Sequence, residues 1–223
     1  MELFRPIQQR PQLGEVIYQA LEEGIVKGYL KPGQHLALAE LADQFNTSIT
    51  PVREACVRLE NAGLLIKVPN KGWQVRSLSM REVMELYETR AALESFATKL
   101  CCRRVDERGI ARLEVLQERG RQLLDASDLD GYSRYNEELH SLIIDLAGNQ
   151  TLKDTIATIY HRVRLCMTRT VAVTGRPEKA IKEHEKLIRA IADRRPDAAA
   201  GIMEQHILNA MTDVISAFES SGS

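Results

Sequence analysis

Five histidines stand in this chain, His35, His140, His161, His184 and His206, and three of them have spacings that suit metal chemistry. Asn136 lies four residues before His140, so the amide and the imidazole project from one face of a helix. His184 and His206 each lie 11 residues from Arg195, inside the break Arg194-Arg195-Pro196. In an antiparallel hairpin about that break, both rings stand at one height, about 16 Å from the turn. Three imidazoles and an amide oxygen meeting in a bundle form a site for a borderline dication, zinc or nickel. Water or a carboxylate ligand would complete the shell. The competing reading is that each histidine is a satisfied or solvated side chain on its own helix.

Catalytic motifs fail on spacing. His184-Glu185-Lys186-Leu187-Ile188 starts like H-E-x-x-H but ends on isoleucine. Glu137 and His140 form one E-x-x-H, and a di-iron bundle needs two; Ile181 and Met203 occupy the matching positions before the other histidines. No G-x-S-x-G, P-loop or G-x-G-x-x-G occurs. A metalloenzyme in the helical half, with Glu137 or Glu138 as base, is the alternative function.

A second group of residues suits nucleic acid. The chain carries 30 basic and 31 acidic side chains, net −1, so no global field attracts DNA or a membrane. Residues 49–78 are nevertheless basic: Arg53, Arg58, Lys67, Lys71 and Arg76 face only Glu54 and Glu60. Such a local patch is the electrostatic footprint of a nucleic-acid reader.

The elements that position these residues follow from periodicity and caps. Val16, Ile17, Ala20, Leu21 and Ile25 predict a helix over 13–27, ended by Gly28. Leu38, Leu41, Ala42 and Phe45 predict a short second helix. Thr50-Pro51 reads as an N-cap with proline at the first helical position, giving a third helix over 51–61. Residues 64–68 and 72–76 read as a β-hairpin about Pro69-Asn70-Lys71. Helix, helix, turn, helix and hairpin make a winged helix-turn-helix over residues 1–78. Its third helix enters the major groove and its wing meets the backbone or minor groove. Arg53 is placed for a guanine edge, Ser48 and Thr50 for phosphates, Arg58 for the same outward face, and Lys71 for the wing tip. Winged helices also bind proteins, so a protein-docking scaffold is a rival reading.

From Ser79-Met80-Arg81-Glu82, a capping box, every segment is helical. Six helices are predicted near 80–102, 106–126, 129–147, 150–173, 177–193 and 196–219. The expected fold is mainly α: the winged unit, then a six-helix antiparallel bundle over 79–223. No apolar run approaches the roughly 18–20 residues of a membrane span. The N-terminus lacks an apolar leader, and Cys56, Cys101, Cys102 and Cys166 show no C-x-x-C pairing. Reduced thiols in a cytoplasmic protein are expected.

SITPVREACVRLENAGLL (48–65) followed by PNKGWQV (69–75) resembles the N-terminal domain of the GntR superfamily of bacterial transcription regulators. Thr50, Pro51, Val52, Arg53, Glu54, Ala55, Leu59, Gly63, Leu64, Lys71 and Gly72 match its pattern. Ile49 and Ala39 stand where many members carry arginine. LYETRAALESFATKL (86–100), NEELHSLIIDLAGNQTL (136–152) and EHEKLIRAI (183–191) with EQH (204–206) are similar to the FCD ligand-binding domain, in its VanR-like six-helix form. The resemblance implies a metal set of Asn136, His140, His184 and His206, with Asn in place of the usual Asp. It also implies a small carboxylate effector, with Arg90 of the R-x-x-x-E pattern facing the pocket. A structural Arg90–Glu94 pair is the equal alternative. His161, Arg162 and Arg164 are weaker pocket candidates. The implied protein is a dimeric repressor on double-stranded, palindromic operator DNA.

Overall fold

The computed structural model describes residues 13–69, 71–171 and 175–221, without the side chains of 166–171 and 218–221. The chain divides between Ser77 and Leu78 into two units. The first comprises α1 (Leu13–Val26), β1 (His35–Leu36), α2 (Leu38–Gln44), α3 (Ile49–Asn61), β2 (Leu65–Val68) and β3 (Gly72–Val75). Ile17, Leu21 and Ile25 of α1, with Val52, Ala55, Cys56 and Leu59 of α3, form its buried core. The strands pair antiparallel in the order β1-β3-β2, with Leu65 opposite Val75 and Val68 opposite Gly72. The two-residue β1 is too short to carry a period-2 signal, which is why the sequence pattern misses it. Trp73 is buried, and its indole N–H donates to Glu60 of α3 at 2.8 Å, fastening the wing to the helix.

α3 begins two residues earlier than the Thr50-Pro51 reading places it. Ser48 is the N-cap, in extended backbone (φ −80°, ψ 164°), and Ile49 is the first helical residue. Pro51 still falls in the first turn, where its missing N–H has no intrahelical partner to lose. The preceding turn sets this start. Asn46 is left-handed (φ 47°), and the Thr47 N–H returns to the Ala42 carbonyl at 2.9 Å.

The second unit holds α4 (Met80–Arg104), α5 (Glu107–Asp125), α6 (Leu129–Leu146), α7 (Gln150–Val171), α8 (Arg176–Ala192) and α9 (Pro196–Ser221). The Ser79–Glu82 capping box starts α4. Asp106 and Asp128 cap α5 and α6, each accepting from a glycine N–H at 2.8 Å. Gly131 lies within the first turn of α6, and the chain reverses before it at Ser127, with φ 56°. α4 and α9 form the most extensive helix pairing. Val83, Tyr87, Leu113, Tyr135, Leu139, Ile143, Leu187, Met203 and Ile207 fill the core. α5 and α6 approach closely at Gly120, where an added Cβ would lie 2.4 Å from the Tyr135 ring.

α8 and α9 form the expected hairpin. The Arg194 N–H bonds the Ile191 carbonyl and the Arg195 N–H bonds the Ala190 carbonyl, both at 3.0 Å. Arg194, at φ 56°, occupies the left-handed position usually given to glycine. Cys56, Cys101 and Cys102 are unpaired and buried. Burial pushes the Cys56 thiol up to about 11 and Cys101 up to about 12, so both are inert protonated thiols near neutrality. The Cys166 side chain lies outside the described residues.

Candidate metal centre and nucleic-acid interface

His140 on α6, His184 on α8 and His206 on α9 meet in the core of the second unit, all three buried. His206 Nε2 lies 3.2 Å from His140 Nε2 and 3.3 Å from His184 Nε2. Two nitrogens bound to one ion at about 2.1 Å stand about 3.0–3.4 Å apart, for octahedral to tetrahedral angles. The observed spacings fit that range. Asn136 sits one helical turn before His140 and is half-buried.

The other ring nitrogens settle the tautomers. His140 Nδ1 meets Glu94 of α4 at 2.5 Å, and His206 Nδ1 meets Glu183 of α8 at 2.6 Å. A carboxylate only accepts, so each Nδ1 carries the proton. His184 Nδ1 lies 3.0 Å from the Tyr135 hydroxyl, whose own proton goes to Gln117 Oε1 at 2.6 Å. Gln117 Nε2 then donates to the Ile181 carbonyl at 2.9 Å. The Tyr135 oxygen must therefore accept from His184. With every Nδ1 protonated, three bare Nε2 lone pairs point into one small space, which is the outer-shell pattern that prepares imidazoles for a metal.

Two buried arginines balance the carboxylates. Arg90 Nε donates to Glu94 at 2.5 Å, and its guanidinium lies over the Tyr87 and Tyr160 rings. Tyr160 also donates to Glu94, at 3.1 Å. Arg176 pairs with Glu183 at 2.9 Å and Asp213 at 3.2 Å, and donates to the His206 carbonyl at 3.1 Å. Burial by itself would raise both carboxyls. Arg90 and His140 hold Glu94 well below the carboxylate range, and His206, Arg176 and Asn209 bring Glu183 down to about 2. Sequence reasoning found the histidines but missed Tyr135, Arg176 and Glu183. Arg176 immediately precedes a proline at a helix start, a position that reads as surface. The Arg90 guanidinium is taken up by Glu94 rather than left open, which is the structural pair named as the alternative. A cleft of about 450 Å³ between α6 and α7 is lined by Glu137, Ser141, Tyr160, His161 and Arg164 among others.

Burial is the main force on two of the imidazoles. It drives His184 well below the usual histidine range, with help from His206 and His140. It also drives His206 down to about 4, although Glu183 opposes it. In metal-free protein the unfolded chain takes up these protons near pH 6.5 while the folded chain refuses them. Stability is thus full above pH 6.5 and is lost as pH falls toward 4, by about 3 kcal/mol for His206. His184 adds a loss of the same sign. Urea midpoints of the metal-free chain are expected to fall steadily across pH 6.5–4.5; a flat profile there would contradict the buried neutral imidazoles.

In the first unit, Ser48, Thr50 and Arg53 lie exposed on the first turns of α3, and Lys71 lies exposed at the wing turn. The Ser48 hydroxyl makes no cap bond and remains available. Arg58 differs from the expectation. It pairs with Glu15 of α1 at 2.7 Å and lies 4.4 Å from the Tyr18 ring centre, so it braces α3 against α1. The outward face holds Arg53 without Arg58.

A family model described as FCD domain matches residues 85–209, and one described as bacterial regulatory proteins, gntR family, matches residues 13–75. The chain is 32% identical over 184 residues to the Nta operon transcriptional regulator of Aminobacter aminovorans, covering 82% of this chain and 85% of that one. It is 27% identical over 195 residues to the HTH-type transcriptional repressor RspR of Escherichia coli (strain K12), covering 87% and 86%. Among solved structures, E. coli McbR/YncC shares the fold with a TM-score of 0.80 at 22% identity, over 94% of this chain and 100% of that one.

Proposed function

The chain belongs to the gntR family of bacterial regulatory proteins and carries the FCD domain, a transcription regulator and not an enzyme, and on that premise we propose a metabolite-responsive repressor acting in the cytoplasm. Its first unit binds operator DNA through Ser48, Thr50 and Arg53 on α3 and Lys71 on the wing. Two copies, joined through their helical units, engage inverted half-sites. His140, His184 and His206, with the Asn136 amide oxygen, hold zinc or nickel. When bound, the ion supplies an electrophilic centre for the oxygen of a small carboxylate. Arg90 serves that site through Glu94 and His140. The observation that carries the reading is the set of three bare Nε2 atoms whose Nδ1 partners are all fixed. Among the described residues no helix is long and apolar enough to cross a membrane.

The ligand acts only if it binds the operator-competent and operator-incompetent states unequally. The test is elemental analysis of chain purified without chelators, then operator titrations of metal-loaded and chelator-stripped protein with a panel of small carboxylates. A metal near one equivalent per chain, and a carboxylate that shifts operator affinity only in loaded protein, is the expected result. Metal-independent release would assign sensing to the polar pocket alone.

A further inference from the structure

The outward face of α3 is chemically simpler than its sequence suggests. At 100° per residue, Val52, Ala55, Cys56 and Leu59 fill the buried sector, while Ile49, Arg53 and Val57 line up at i, i+4 and i+8 on the exposed side. Glu54 turns toward α1, its carboxylate 3.4 Å from the place a Cβ on Gly14 would occupy, and Arg58 is held by Glu15. Apart from Thr50 at the start of α3 and Asn61 at its end, both exposed, what remains outward is one guanidinium between two aliphatic side chains, Ile49 at 43% and Val57 at 41% exposure.

We propose that Ile49 is a specificity residue that reads the C5-methyl group of an operator thymine beside the guanine taken by Arg53. The inference rests on the DNA-binding reading above. Ile49 occupies the first helical position, so it lies at the end of α3 that leads into a major groove. An aliphatic side chain has one partner among the major-groove base edges, the thymine methyl. Ile49 and Arg53 are about 6 Å apart along the helix, and base pairs are about 3.4 Å apart along DNA, so their targets lie one or two base pairs apart. The half-site therefore contains guanine with a thymine no more than about two base pairs away. Val57, eight residues and about 12 Å along α3 from Ile49, is too far to share that contact.

The full chain is used to select duplexes from a random library. The enriched duplex is then remade with deoxyuridine replacing each thymine in turn, which removes the methyl and leaves the hydrogen-bonding edge unchanged. Loss of guanine preference in Arg53→Ala marks the reference guanine. The expected result is one thymine within two base pairs of it whose replacement weakens wild-type binding about fourfold per half-site, the worth of one buried methyl-sized group. Ile49→Ala should bind the thymine and deoxyuridine duplexes equally. Wild-type binding indifferent to every deoxyuridine, or a sensitivity that survives in Ile49→Ala, overturns the proposal while leaving DNA recognition intact. If no duplex is enriched, the DNA-binding reading itself fails, and the proposal with it.

Discussion

Arg53→Ala is expected to weaken operator binding by orders of magnitude, with loss of the guanine preference, and without lowering the melting temperature. The side chain is exposed, and no ion pair with a described residue engages it, so its loss leaves the fold untouched. A bidentate contact to guanine is worth about 1–3 kcal/mol, and a two-fold complex makes it twice, giving a loss of about 30-fold to 10⁴-fold. Arg58→Ala should behave oppositely. Losing the Glu15 pair and the Tyr18 contact costs about 0.5–1 kcal/mol of stability and leaves operator affinity nearly unchanged. Fluorescence anisotropy on a selected duplex and thermal melts of both variants separate the roles. Equal affinity of Arg53→Ala and wild type would remove Arg53 from the reading face.

His184→Ala is expected to eliminate stoichiometric metal from the purified protein. A structural site of four ligands binds zinc by about 10–16 kcal/mol at neutral pH, so one ligand carries roughly a quarter of it, about 70-fold to 900-fold in affinity. Its loss also removes the N–H that the Tyr135 oxygen accepts from, while the Tyr135 hydroxyl keeps its own bond to Gln117. Asn136→Asp should tighten metal binding by adding an anionic oxygen, and His35→Ala, in the first unit, should leave it unchanged. Elemental analysis and competition with a chromophoric chelator read all three. If wild type incubated with zinc or nickel retains nothing, the imidazoles are polar pocket lining and His184→Ala will differ from wild type only in stability.

Some of this molecule is decided residue by residue, and the sequence alone determines it. The bounds of α4 to α9 agree with periodicity and caps within a few residues, because a capping box at Ser79 or a cap at Asp128 acts over four residues of chain. The meeting of His184 with His206 is also legible, since one tight reversal fixes the register of a helical hairpin. The start of α3 is less so: Ser48 and Thr50 are both competent caps, and the left-handed turn at Asn46 chooses between them. The rest belongs to tertiary structure. Glu94 comes from α4 and Tyr135 from α6, and nothing local announces that they orient rings on α6 and α8. Arg176 reads as a solvated charge until α9 brings Asp213 and His206 against it. Arg58 reads as an outward-facing charge of α3, and only the fold brings Glu15 and Tyr18 of α1 against it. In each case the deciding partner lies on another helix, and packing of the two helices, which depends on the summed burial of the core and not on the residue itself, determines which group is paired with which.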